Sequence, residues 1–195
     1  YNATINRIYQ EPGSHSKNVL ARIKTDSAFF VGKPYVAGTT GEGPTGKFDK
    51  QPMYRTDQFD CSGYVETVLA LVQSNNLEQF KHNMVKIRYH SPAPDFLYRN
   101  HFTTVDWNPI NQKNGYTKDV TTELFPMNYK LAVATINRPG WFQRLSIRAI
   151  KLFKLPEQQQ SQKLLDDLHG LSNHITPVKS VLPYVPLKAL YTWWG

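Results

Sequence analysis

The one cysteine of this 195-residue chain, Cys61, stands in the run Gln58-Phe59-Asp60-Cys61-Ser62-Gly63-Tyr64-Val65-Glu66-Thr67-Val68-Leu69-Ala70-Leu71-Val72. Cys61, Tyr64, Val65, Val68, Leu69 and Val72 recur at helical spacing, so the run predicts an α-helix with one apolar stripe. Asp60 is a good N-cap and puts Cys61 in the first turn. There a thiol faces unpaired backbone N–H groups and the positive end of the helix dipole, which favour its ionised form. A thiolate so placed is a nucleophile for an amide or ester carbonyl. It needs a base to take up and return a proton, and donors for the oxyanion, one of which is the Cys61 N–H. The plainer reading is that a lone cysteine on an apolar helical face is a small buried hydrophobe.

The elements that must position this thiol can be followed along the chain. Residues 1–31 read as two short helices broken at Glu11-Pro12-Gly13-Ser14, the second from Lys17 to Phe30 and stopped by Gly32. The stretch Thr39 to Asp57 holds Gly41, Gly43, Pro44, Gly46 and Pro52 without periodicity, and it is expected to be a mobile loop that could border a cleft. Leu77, Phe80, Met84 and Ile87 mark the buried side of a further helix, broken by Pro92 and Pro94. Phe102 to Trp107 and Tyr116 to Thr122 are rich in β-formers and are expected to be short strands. Phe142, Leu145, Ala149, Leu152 and Phe153 predict an amphipathic helix with Arg144, Arg148, Lys151 and Lys154 opposite. Leu164, Leu165, Leu168 and Leu171 suggest one more helix, and Val181 to Pro186 reads as extended.

Composition sets the outer bounds. With 40% hydrophobic and 19% charged residues the chain is globular, and its length suits one core. We expect a single domain over 1–195, with 138–180 as a helical insertion or appendage. Nothing reaches the length of a membrane span. A start at Tyr1 with no signal peptide in view fits a processed exported protein or a trimmed chain equally well. The net charge of +8 and isoelectric point near 9.5 point to anionic partners. Nucleic acid is disfavoured, because the basic residues are dispersed and no helix-turn-helix, zinc-finger or RNA-binding spacing occurs. No cofactor is expected, and none of the six histidines falls in a metal-ligand pattern.

Four segments in order carry a resemblance: Gly32-Lys33-Pro34-Tyr35-Val36-Ala37-Gly38-Thr39, Asp60 to Leu71, Ile87-Arg88-Tyr89, and Tyr98-Arg99-Asn100-His101-Phe102 with Asp106-Trp107. This pattern resembles the NlpC/P60 cysteine peptidases and amidases of peptidoglycan, and within them the N-acetylmuramoyl-L-alanine amidase-like subgroup. The resemblance implies an α+β, papain-like fold in which the nucleophile helix packs on a small antiparallel sheet, with extra helices. It implies peptidoglycan or muropeptide as substrate and a bacterial periplasmic or secreted location. Cys61 would be the nucleophile, and Tyr35 would help to bind or orient beside it. His101 would be an active-site neighbour that recognises the sugar or stem peptide, and secondarily the base. Arg99 could pair with a substrate carboxylate, with Asp106 and Trp107 on the substrate side. Asp106 and Asp119 are the acids nearest in sequence that could orient an imidazole.

The chain departs from the pattern at Asn100, where the family usually has Leu, in lacking a PGDLV-like segment, and most of all in its base. The family's catalytic histidine lies on a His-x-Gly strand, and no His-x-Gly occurs here. The chain is then a fragment, or a local histidine takes over, or catalysis is lost. Two rival functions stay open: a stem-peptide endopeptidase, and a non-catalytic peptidoglycan-binding protein without the base.

Overall fold

The computed structural model describes residues 1–146, 148, 149 and 153–193. Of the basic amphipathic helix expected after Arg138, Lys151 and Leu152 lie outside the described residues. The chain divides into two compact units, Tyr1–Asn100 with Leu145–Asp167, and His101–Arg144 with Leu168–Gly195.

The first unit is built on helices α1 (Asn2–Ile8), α2 (Val19–Ala28), α3 (Cys61–Val72) and α4 (Leu77–Arg88). Their boundaries follow from capping. Asn18 Oδ1 accepts from the Leu20 and Ala21 N–H groups to start α2. Asn76 Oδ1 accepts from Gln79 N, while Gln79 Oε1 accepts from Asn75 N, so the two side chains satisfy orphan amides at the head of α4 reciprocally. At the far end of α3 the Arg22 guanidinium donates to the Leu71 and Ser74 carbonyls, supplying a cation where the helix dipole is negative. Ile5, Ile8, Leu71, Phe80, Met84 and Ile87 are fully buried and form the core between these helices.

Helix α3 buries only the later part of its predicted apolar stripe. Val68 and Val72 are inside together with Gly63, Glu66, Thr67, Ala70 and Leu71, whereas Cys61, Tyr64 and Val65 of the stripe are exposed. The reason is that its polar residues have partners: Thr67 Oγ1 donates to the Gly63 carbonyl, and Glu66 lies 3.4 Å from the buried Arg88. Within this unit α3 packs on α2 and α4.

The second unit holds a π-turn (Thr103–Trp107) continuous with α5 (Asn108–Lys113), then α6 (Thr121–Leu124), β1 (Lys130–Ile136), α7 (Arg138–Gln143) and β2 (Val178–Tyr184). Helix α8 (Gln162–Gly170) begins before the division, and α9 (Leu187–Trp193) closes the described chain. Strands β1 and β2 pair antiparallel from Lys130 with Tyr184 to Ile136 with Val178. Neither segment expected as a strand here forms one: Phe102 leads into the π-turn, and Tyr116 to Thr122 is mostly irregular chain that enters α6 at Thr121. Local caps override their β-propensity. Asp106 Oδ2 accepts from Phe102 N, Pro109 occupies the opening turn of α5, and Asp119 Oδ1 accepts from Thr121 N. The fold is thus α+β with a small antiparallel sheet.

Candidate active site

The head of α3 is held by the segment that precedes α3 and by the Pro34–Thr39 stretch. Phe59 N donates to the Pro34 carbonyl and Val36 N to the Phe59 carbonyl, a parallel bridge that sets Tyr35 beside Phe59. Asp60 then joins the two segments through both carboxylate oxygens. Oδ1 accepts from Gly63 N at 2.7 Å and Oδ2 from Gly38 N at 3.1 Å. Gly38 has φ 66, a left-handed conformation that glycine adopts without strain. Phe30, Phe59 and Tyr64 meet edge-to-face with ring centroids 4.9 to 6.4 Å apart, giving the first turn an apolar support. Cys61 is exposed at the first helical position and Tyr35 is 71% exposed. The N–H groups of Cys61 and Ser62 have no carbonyl one turn earlier within the helix, so they are donors available to an anion there.

Behind this turn lies a buried charged cluster. The expected mobile loop 39–57 is largely buried, with Thr39, Thr40, Glu42, Asp49, Gln51, Arg55 and Thr56 all inside. Gly41, Glu42 and Gly43 donate to the Pro52, Asp49 and Gln51 carbonyls, folding the loop back on itself. Arg99, set by its bridge to Tyr89, donates to Asp49 Oδ2 at 3.0 Å, to Glu42 Oε1 at 3.4 Å and to the Thr40 carbonyl. Burial pushes the Glu42 carboxyl up to about 7 against the opposing pull of Arg99, and burial raises Asp49 likewise. Glu42 Oε2 is buried with no hydrogen-bond partner. Arg88 donates to the Met53 carbonyl at 2.8 Å. Sequence reasoning missed this cluster. Its signal was the three glycines around two acids, for a Cβ on Gly41 would come within 2.3 Å of Asp49 Oδ1.

The structure therefore brings Tyr35, Asp60 and Cys61 together in the first unit, with Arg99 engaged by Glu42 and Asp49. His101, Asp106, Trp107 and Asp119 belong to the second unit. The His101 ring packs among Trp141, Phe142 and Phe102 at 4.8, 5.6 and 6.4 Å. Asp106 is buried and its Oδ1 lies 3.2 Å from Arg138. Hydrogen bonds from Thr121 hold the Asp119 carboxyl below its ordinary value. Elsewhere His15 Nε2 lies 2.6 Å from the Tyr9 carbonyl and His90 Nδ1 3.3 Å from Asn100 Oδ1. Among the described residues no group of three His, Cys, Asp or Glu is placed to hold a metal ion.

Residues 25–192 match the family model described as AmiA-like, N-acetylmuramoyl-L-alanine amidase-like. The chain belongs to this AmiA-like family. Among solved structures, the AmiA-like chain is similar to a Legionella pneumophila protein solved as a member of a domain family of unknown function, with 36% identity and a TM-score of 0.88. That match covers 98% of this chain and 64% of the Legionella chain. It also shares its fold with an N-acetylmuramoyl-L-alanine amidase of Bacteroides uniformis, at 22% identity and TM-score 0.53, covering 80% of this chain and 61% of that one. A Bacteroides fragilis protein provisionally assigned as a xylanase compares at 22% identity and TM-score 0.51, over 84% of this chain and 65% of that one. No curated protein matches the sequence. Among the described residues no helix is long and apolar enough to cross a membrane.

Proposed function

We propose that this AmiA-like chain carries the nucleophile of a papain-like, NlpC/P60-type peptidoglycan amidase that cleaves the bond between N-acetylmuramic acid and L-alanine, outside the cytoplasm. The observation that carries the reading is the exposed thiol at the first position of α3, beside a cap residue that ties the helix head to Gly38. In this reading the Cys61 sulfur, as thiolate, attacks the muramoyl carbonyl carbon. The negative charge passes to the carbonyl oxygen, which the Cys61 N–H receives at the helix head. Collapse of the tetrahedral intermediate breaks the C–N bond, and the departing L-alanyl nitrogen takes a proton from an imidazole. Water then hydrolyses the thioester and restores the thiol. Tyr35 borders the site as an orienting group. His101, with Trp107, is assigned first to recognition of the sugar or stem peptide and second to the role of the base. Asp106 and Asp119 enter as caps of the turns that carry them.

Muropeptide digestion followed by mass analysis tests this. The expected products are intact sugar and intact stem peptide, with Cys61→Ser inactive and Cys61 recovered as a thioester adduct under rapid quench. Cleavage within the stem would replace the amidase by an endopeptidase. Tight muropeptide binding without turnover would replace both by a wall-binding protein.

A further inference from the structure

The buried cluster behind α3 has no part in the chemistry just described, yet it is built onto the same turn. Arg99 reaches across to the carbonyl of Thr40 and to two carboxylates, Glu42 and Asp49, which are 5% and 3% exposed. The Thr40 side chain faces Gly63, where an added Cβ would lie 3.7 Å from Thr40 Cγ2. Gly63 is two residues beyond the cysteine, and its N–H is the one that Asp60 Oδ1 receives. Gly38, two residues before Thr40, donates to the other oxygen of the same carboxylate. A continuous path of contacts therefore runs from the guanidinium through the 38–40 backbone to the cap of the nucleophile helix.

We propose that Arg99 is a positioning residue for Cys61: its planar fork clamps the Thr40 carbonyl and the paired carboxylates, and so fixes the strap Gly38–Thr40 against the first turn of α3. The function of Arg99 is then to set the geometry around the sulfur, not to meet a substrate carboxylate. The planar fork matters because three acceptors are served from one group in fixed directions, which a single ammonium cannot do. This inference rests on the reading of Cys61 as nucleophile, but its first readout is the thiol itself.

The test compares iodoacetamide alkylation of Cys61 from about pH 5 to about pH 9 in the wild type, Arg99→Lys and Thr40→Ala. Thermal melting and circular dichroism are read alongside. Arg99→Lys keeps a cation against the buried acids, and Thr40→Ala leaves the ion cluster in place. Both are expected to stay folded, to lower the alkylation rate near neutral pH about tenfold, and to lower kcat on muropeptide by a similar factor with KM little changed. A folded Arg99→Lys protein with the wild-type alkylation profile overturns the proposal. If Arg99→Lys does not fold, Thr40→Ala decides, and an unchanged profile there overturns the proposed path. Retained hydrolysis by Cys61→Ser would remove the nucleophile assignment, while the alkylation profiles would still report whether Arg99 governs the seat of the thiol.

Discussion

Glu42 is a buried acid whose carboxyl oxygen Oε2 has no hydrogen-bond partner. Its carboxyl titrates at about 7 in the folded chain against an ordinary 4.5, because burial disfavours its charge more than Arg99 restores it. The sign of the consequence follows. The folded state binds the proton more tightly, so the stabilisation is present below pH 4.5 and is lost as pH rises through about 7. Asp49, also raised by burial, adds in the same direction. Each unit of such a shift is worth about 1.4 kcal/mol. Glu42→Gln is therefore expected to flatten the decline of melting temperature between pH 4.5 and about 7, measured by differential scanning fluorimetry. An unchanged slope would remove Glu42 as its source. Beyond the glycines around the two acids, the sequence carried no sign of this burial. Glu42 and Asp49 stand in a glycine-rich loop, and such a composition reads as exposed unless the arginine that draws the acids inward is known. That arginine lies about fifty positions away.

At the scale of elements, capping was legible throughout, while burial was legible in α4, where Phe80, Met84 and Ile87 are inside, and only in part in α3. The boundaries of α3 and α4 follow from Asp60 and Asn76, because a cap acts on amides within one turn of itself and so is written locally. Replacing Asp60 by alanine should cost about 1 to 2 kcal/mol, seen as a lower urea midpoint, since it strips acceptors from both Gly63 and Gly38. Asp60→Asn should retain most of that. The early turns of α3 were misread because Glu66 and Thr67 count as polar in any periodicity, while Arg88 and the Gly63 carbonyl make them satisfied interior groups. The strand expectation at Phe102 to Trp107 failed for a related reason: the Asp106 side chain bonds the Phe102 amide and closes a turn that β-propensity does not register. A tighter prediction belongs to Gly41. A Cβ there meets the Asp49 carboxylate and, at 2.9 Å, its backbone oxygen, so Gly41→Ala should destabilise by about 1 to 3 kcal/mol.

For the whole molecule, the family and the α+β class were legible from four short motifs, since these encode backbone approaches that few sequences satisfy. The pairing of β1 with β2 was not, because strands separated by more than forty residues leave no mutual mark in a single sequence. That sheet carries Leu131, Val133 and Val181 at 50% exposure or more. Two strands alone are marginal in water. Val133→Lys is expected to change the melting free energy by less than about 0.5 kcal/mol, as for an ordinary surface site. A larger loss would mean that this face is covered in solution.

The exposure of the only sulfhydryl in the chain has a practical side. Left in air without reductant, molecules should couple pairwise through a single S–S link, visible as a doubled band on a non-reducing gel and absent from Cys61→Ser. The same uniqueness makes the protein a one-position handle: a maleimide fluorophore added in stoichiometric amount will land at the head of α3.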